Sequence, residues 1–590
     1  MLATTQQGSE AMLDKVIRGG TIIDGTGRAG FTGDVGIRGD QIVAVGDVDE
    51  AAHEVIDADG ALVTPGFFDL HTHYDGQVTW DDALEPSATN GISTIVLGNC
   101  GVGFAPVRPA DHESLIDMME GVEDIPGSAL SVGMPWGEWE TFPEYLDFLD
   151  RRRFSANVAC HVSHGPIRYY VMGERAYDDH DATPDEVAEM ARLVRDAFDA
   201  GAAGFSSNRF RAHMSRSGKI VPGTFAPLEE LGALAQAVGD AGHGLIQTIA
   251  DGTIAPGKHE DGMPELDMLA GLSITAGRPL TFSTFQVSKE SMVFRAVLDG
   301  SAAWNAKGAQ LRPQIIPRSV TVMCNLDTYH PFWNRPTYKK VAELPLEARV
   351  AEMRKPEVRD QILGEGDEFT GGLAALVSAG LGGGLGRMFS LAAPVNYEPD
   401  GSESVKAQAQ ALGKDPLHHM YDLLVDNGGR TFFAMLGSNF ADGTLEPCRE
   451  MLADPNTVSG LSDAGAHVTM ISDCSTSTFH LTHWARDRTK GATVPVELAV
   501  HKLTGAPAEM YGFTDRGVIE AGKKADLNVI DFERLTIEEP YLRRDLPTGA
   551  ARILQPGTGY LATIVNGATI RRDDADTGER TGHLLRSRRA

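Results

Sequence analysis

After Pro65-Gly66, short apolar runs alternate with amphipathic stretches, and this alternation constrains the fold of the chain more than any other feature. The strand-like runs are Gly66 to His71, Ser93 to Leu97, Asn157 to Val162, Ala203 to Ser206, Leu245 to Thr248, Leu280 to Phe285, Ser319 to Cys324 and Thr457 to Leu461. Helical patterning fills the intervals, as in Pro184 to Ala200 and Leu228 to Ala241. Strands that alternate with helices in this way predict an α/β fold, a (β/α)8 TIM-type barrel with a parallel sheet inside a ring of helices.

Both ends of the chain differ in character. Residues 15–65 read as short strands: Lys15 to Ile23, then Asp34 to Arg38 and Gln41 to Val45 on either side of Gly39-Asp40, a hairpin signal. Strand and turn signals return after Gly517, with Val529-Ile530 and Ala562 to Val565, and the tail after Arg571 is charged and reads as extended. Chain termini often lie close together. The expectation is therefore one small β domain formed by residues 1–65 and 506–590 around a barrel at 66–505. The stretch from about 327 to 454 is too long for one connection and reads as an insertion, either a lid or a subdomain.

Composition narrows the function. The 590 residues carry a formal net charge of -30, which argues against binding to nucleic acid or to an anionic membrane, since both need basic surface. No apolar run approaches the roughly 18 residues that span a bilayer. The first residues, MLATTQQGSEAMLDK, lack a basic region followed by an apolar one. Five widely spaced cysteines (Cys100, Cys160, Cys324, Cys448 and Cys474) do not form a disulfide framework pattern. A cytoplasmic protein acting on a small molecule is expected, with a homo-oligomer left open.

Three local motifs carry chemistry. In Phe67-Phe68-Asp69-Leu70-His71-Thr72-His73 the two histidines are two residues apart, so on a strand both imidazoles point to one face and can grip one divalent ion. They fall at the C-terminal end of the first barrel strand, where such barrels place their sites. Gly98-Asn99-Cys100-Gly101 follows the second strand, and a thiolate there can bind or bridge metal ions. Ser462-Asp463-Ala464-Gly465-Ala466-His467 follows the last strand, and its aspartate can ligate metal or take a proton from metal-activated water.

Together these pieces resemble the amidohydrolase superfamily, most closely its D-aminoacylase-like (N-acyl-D-amino-acid deacylase) branch. The resemblance runs through VIRGGTIIDG (16–25), residues 62–73, NGISTIVLGNCGVGFAP (90–106), HGPIRYYVMG (164–173), GAAGFSS (201–207), VPGTFAPLEEL (221–231), residues 458–467 and GVIEAGKKADLNVID (517–531). It implies a (β/α)8 barrel with a small β-sandwich built from both termini. It also implies His71, His73, Cys100 and Asp463 as metal-site residues, with Asp463 orienting or deprotonating the attacking water. Two family ligands are missing. The fifth strand, LIQTIAD, has Ile249 where a histidine is expected, and the sixth, LTFSTFQ, has Thr284. Isoleucine has no ligating atom, so the second metal position should be absent or rebuilt. A single divalent ion follows, and the mixed N, S and O donor set suits one Zn2+ per chain.

Other polar residues stand near the strand ends. His161, His164 and Asp251 are candidates to replace the lost ligands. NRFRAHMSRSGK (208–219) concentrates Arg209, Arg211, Arg216 and Lys219 in an acidic protein. Arg209 and Arg211, with His164 and Arg168, are candidates to bind substrate, because guanidinium pairs bidentately with carboxylate. Tyr329, Phe332 and Trp333 are candidates to line an apolar acyl pocket or to form the core of the insertion. The expected function is a metal-dependent hydrolase of a non-peptide C–N bond, with an N-acyl amino acid as the substrate class implied by the resemblance. The alternatives are a hydrolase of a cyclic amide, aryl amide or ester, and a non-catalytic binding protein of the same fold.

Overall fold

The computed structural model describes residues 12–177, 180–254, 262–289, 292–369 and 373–589; most of the stretch MLATTQQGSEAMLDK, read above for basic and apolar regions, lies outside it. Eight strands form one sheet: β1 (Phe67–Asp69), β2 (Ile92–Leu97), β3 (Asn157–Ser163), β4 (Gly204–Arg209), β5 (Leu245–Ala250), β6 (Leu280–Ser283), β7 (Leu311–Ile315) and β8 (Val458–Ser459). They pair in sequence order and every pair is parallel. Beyond the ends of β1 and β8 the edges of the sheet meet. Thr72 and Ala464 form a parallel bridge, the Asp463 N–H donates to His71 O at 3.1 Å, and the His73 N–H donates to Ala464 O at 2.8 Å. The backbone of the candidate site residues thus joins the first strand to the last. Phe68, Leu70, Val96, Ala159, Ala203, Leu245, Val458 and Tyr511 meet in one buried cluster, drawing together strands from both edges of the sheet.

The helices start and stop where the sequence marks them. α1 (His112–Glu123) follows β2. α2 (Pro184–Asp199) opens with a reciprocal capping box between Thr183 and Glu186 and with proline at its first position, where no amide partner is lost. α3 (Leu228–Ala241) stops at Gly242, which adopts a φ of 74° that a side chain would disfavour.

One strand differs from expectation. The seventh barrel strand is Leu311–Ile315, not the run 319–324. That later run contributes Thr321–Cys324 to a separate antiparallel sheet with Phe433–Leu436 and Met388–Ser390. The sequence LRPQI hides β7, because Arg312 and Gln314 interrupt its apolar character and Pro313 ordinarily demotes a strand. The insertion has its own core, including Phe332, Tyr338, Met353, Met420 and Tyr421. Phe332 is therefore core rather than pocket lining.

The two ends of the chain share a nine-stranded mixed sheet. Leu527–Ile530 pairs antiparallel with Leu62–Pro65, which lies beside Leu13–Ile22. The expected hairpin is present, with Arg38 opposite Gln41. The tail does not extend into solvent. Gly582 and Leu584 bridge to Phe154 and Val158, and Leu584 and Leu585 are buried. No helix among the described residues is long and apolar enough to cross a membrane.

Candidate metal centre

His71 and His73 lie just past β1 and are fully buried, their ring centroids 5.2 Å apart. Cys100 sits in the tight turn after β2 with a φ of 55°. The glycines beside it make the turn possible: a Cβ on Gly98 would lie 2.3 Å from the carbonyl oxygen of His161, and one on Gly101 would lie 2.7 Å from the backbone N of Asn208. Ligating atoms of His71, His73 and Cys100 all lie within 4.8 Å of one another. His71 Nε2 is 3.1 Å from Cys100 Sγ. Asp463, at a φ of 50°, completes the group: its Oδ1 is 3.5 Å from His71 Nε2 and 3.7 Å from His73 Nε2. Non-glycine residues at positive φ cost roughly 1–3 kcal/mol each and collect at functional sites; Cys100, Asp463 and His467 all do so here.

Other strands support these ligands without supplying one. His71 Nδ1 lies 2.8 Å from Gln314 Oε1 on β7. The backbone N–H of Cys100 donates to Gln247 Oε1 on β5 at 3.0 Å. Ile249, also on β5, is buried and has no ligating atom. Thr284 donates its hydroxyl to the carbonyl oxygen of Thr253 at 3.1 Å. His161 has its Nε2 3.0 Å from Tyr511 OH, and Asp251 is ion-paired with Arg211; among the described residues neither joins the compact group of His71, His73 and Cys100.

The electrostatics suit a cation. Burial lowers the pKa of His71 to about 4, and burial with the neighbouring rings of His71, His467 and His213 lowers that of His73 well below its ordinary value, so both rings are neutral at neutral pH and free to ligate. Burial, with the carboxyls of Glu123, Asp463 and Asp75, pushes the Cys100 thiol up. Burial alone raises Asp463 to about 7. Neither ring nitrogen of His73 has a hydrogen-bond partner, and Glu123 Oε1 has none. Orphaned buried polar atoms of this kind are costly. A positive ion would satisfy the histidine and favour the charged forms of cysteine and aspartate.

Three residues that sequence reasoning did not place at the site border it. Glu123, the last residue of α1, puts Oε1 3.4 Å from His73 Nδ1 and Oε2 3.7 Å from His467 Nε2. His467 follows Asp463 by four residues in the same motif, a signal present in the sequence. His213 lies in the basic loop after β4, where the fields of His467 and His71 add to burial in lowering its pKa to about 3.

The proposed substrate-binding residues are engaged elsewhere. His164 uses both ring nitrogens, toward Ser207 Oγ and Glu230 Oε1, each at 2.9 Å. Arg168 donates to Glu230 at 3.0 Å and to the carbonyl oxygens of Ala176 and His180. Both side chains converge on the buried carboxylate of Glu230, which gives them an anchoring role in the structure. Burial disfavours ionised Glu230, yet His164 and Arg168 hold its carboxyl below the ordinary range. Arg209 pairs with Glu265, Arg211 with Asp251, Arg216 with Glu120 and Lys219 with Glu174. These pairs pin the loop that carries His213. Tyr329 donates to Asp124 at 3.3 Å, which brings the insertion against the residue after Glu123.

The sequence model of the amidohydrolase family matches residues 54–571. The chain is 27% identical over 591 residues to the D-aminoacylase of Alcaligenes xylosoxydans xylosoxydans, covering 98% of this chain and 99% of that one. It is 29% identical to an uncharacterised protein of Mycobacterium tuberculosis, over 88% of this chain and 84% of the other. A solved D-aminoacylase structure, described as having a binuclear metal centre with one-metal activation and second-metal attenuation, superposes with a TM-score of 0.64 at 24% identity, covering 97% and 99% of the two chains. The chain belongs to the amidohydrolase family, in its D-aminoacylase-like branch, and is a hydrolase of carbon–nitrogen bonds other than peptide bonds.

Proposed function

We propose that the chain hydrolyses the amide bond of an N-acyl amino acid at a centre that holds one divalent ion, zinc by its donor set, on His71, His73 and Cys100, with Asp463 moving the proton. The observation that carries this reading is the approach of one oxygen of Asp463 to within 3.5 and 3.7 Å of the Nε2 atoms of both histidines. Three protein ligands are the usual number for a catalytic zinc, which keeps a position open. With Ile249 and Thr284 in place of the two missing histidines, a second ion has no family ligands on β5 and β6. The activation by one metal described for the D-aminoacylase structure supports a one-ion reading.

The ion, when bound, supplies Lewis acidity that polarises a carbonyl and makes water acidic. The protein's own residues do the rest. Gln314 on β7 and Gln247 on β5 fix His71 and the Cys100 turn. Asp463, ionised in the field of a cation, takes a proton from the attacking water and returns it to the departing nitrogen, giving a carboxylic acid and an amine. Arg211, exposed and two residues from His213, can exchange Asp251 for the carboxylate of a substrate, with Arg209, paired to Glu265, as a second candidate. We also take residues 66–505 as a closed (β/α)8 barrel, with residues 1–65 and 506–590 as its companion β domain. Assay of the metal-loaded protein on N-acyl-D- and N-acyl-L-amino acids, cyclic amides, aryl amides and esters tests the reading. Turnover of acyl amino acids well above the other classes supports it. Turnover confined to another class, or none in a metal-loaded protein, contradicts it.

A further inference from the structure

Glu123 is an unusual place for a carboxylate. It is 2% exposed, and it ends α1, where the carbonyl end of the helix carries partial negative charge. An acid there is unfavourable even before burial is counted. Asp124 follows it directly, so no neighbouring cation compensates in the sequence. The helix end is nevertheless tied into the site, because the backbone N–H of His467 donates to Glu123 O at 2.5 Å. His467 holds this position at a φ of 48°. A buried acid, at the wrong end of a helix, gripped by a strained residue of the last barrel loop, has a role outside helix stability.

Its side chain shows the role. Oε1 has no hydrogen-bond partner and stands 3.4 Å from His73 Nδ1, which has none either. On the far side of the same ring, Nε2 faces Asp463. His71 has the same arrangement, with Nδ1 toward Gln314 and Nε2 toward Cys100 and Asp463. A histidine that binds metal through one nitrogen almost always gives its other ring N–H to an acceptor, which fixes tautomer and orientation. For His71 that acceptor is an amide oxygen; for His73 the acceptor nearest at hand is a carboxylate.

We propose that Glu123 is the positioning residue of His73: its Oε1 accepts the Nδ1–H, leaving Nε2 free toward the ion, while its Oε2 faces His467 and couples the last barrel loop to the first strand. The inference rests on the metal-centre reading above. At 3.4 Å the contact is a few tenths of an ångström longer than a full hydrogen bond, a gap that a small rotation of either side chain closes. Among the described residues, Glu123, His73 and His467 do not form a second compact ligand group, which favours support of a ligand over ligation of a further ion.

The test uses the full chain loaded with Co2+, in wild type and in Glu123→Gln, Glu123→Asp and His467→Gln. Chelator competition measures affinity, and proton NMR reads the exchangeable ring N–H signals shifted by the cobalt. Wild type is expected to bind one equivalent and to show two such signals, from His71 and His73. Glu123→Gln should keep the stoichiometry, weaken binding about 10- to 100-fold, and move or lose the His73 signal alone. Glu123→Asp should restore part of the affinity, and His467→Gln should weaken it less than Glu123→Gln. The proposal is overturned if Glu123→Gln binds within twofold of wild type with its His73 signal in place. It is equally overturned if wild type binds two equivalents and Glu123→Gln loses one whole, which would make Glu123 a ligand. A folded wild type that binds no cobalt would instead overturn the metal-centre reading beneath it.

Discussion

Gln314 Oε1 lies 2.8 Å from His71 Nδ1, on the side of the ring away from Cys100 and Asp463. The nitrogen nearest Gln314 must therefore carry the proton, and the other presents its lone pair to the site. Gln314→Leu removes the acceptor and leaves a buried N–H unpaired. Metal affinity should fall about 10- to 100-fold, as for other partners of ligating histidines. Chelator competition measures it; affinity equal to wild type would show that His71 needs no anchor.

Asp463→Asn keeps the shape of the side chain and removes the proton carrier. The turnover number should fall about 10²- to 10⁴-fold, the range of a lost general acid–base. Bound metal should change far less, since His71, His73 and Cys100 remain. Loss of metal in step with activity would make Asp463 a ligand first.

The same variant has a signature in the metal-free protein. Burial raises the Asp463 pKa to about 7 from an ordinary 3.8. Between those values the folded chain holds a proton that the unfolded chain has released, so this group subtracts stability as pH rises from 3.8 through 7. Below 3.8 both states are protonated and the contribution is flat. Asparagine has no such dependence. Denaturant unfolding of the chelated proteins should show Asp463→Asn gaining on wild type between pH 4 and pH 8. A pH-independent difference would contradict a desolvated carboxyl at this half-buried position.

Arg168→Met should be strongly destabilising, because it strips Glu230 of a partner inside the protein. Breaking a buried ion pair from one side costs about 3–5 kcal/mol. Unfolding midpoints in urea would read the change. A variant of wild-type stability with a raised KM would return Arg168 to the substrate site.

Arg211→Ala tests the remaining docking candidate. KM for an acyl amino acid should rise with little change in kcat, the pattern of an interaction made equally in ground and transition states. An unchanged KM would leave Arg211 with the pinning role it has toward Asp251.

How much of this was legible in the sequence depends on where each residue sits. β3 and β5 are buried at every position and keep enough apolar residues, such as Val158, Ala159 and Val162 or Leu245 and Ile246, that their runs mark them within two residues. β7 is different because it supports the site: Gln314 is turned to His71, and Arg312 and Pro313 break what apolar pattern remains. His71, His73, Cys100 and Asp463 sit in short motifs at strand ends, where spacing alone brings them to one place. Glu123, Gln247 and Gln314 come from a helix end and two strand interiors, and nothing local distinguishes them from ordinary polar residues. The loop 208–219 reads as a basic patch because its partners, Glu120, Glu174, Asp251 and Glu265, are remote in sequence or on other elements. Its contribution to the site is His213, which carries no fixed charge and is half-buried.

Metal analysis of the purified protein, paired with activity before and after chelation and metal add-back, tests the central claim most directly. The structure predicts close to one equivalent of a transition metal per chain, loss of activity on chelation, recovery on add-back, and a loss of bound metal in Cys100→Ala. Less than half an equivalent of any transition metal together with full activity would contradict it.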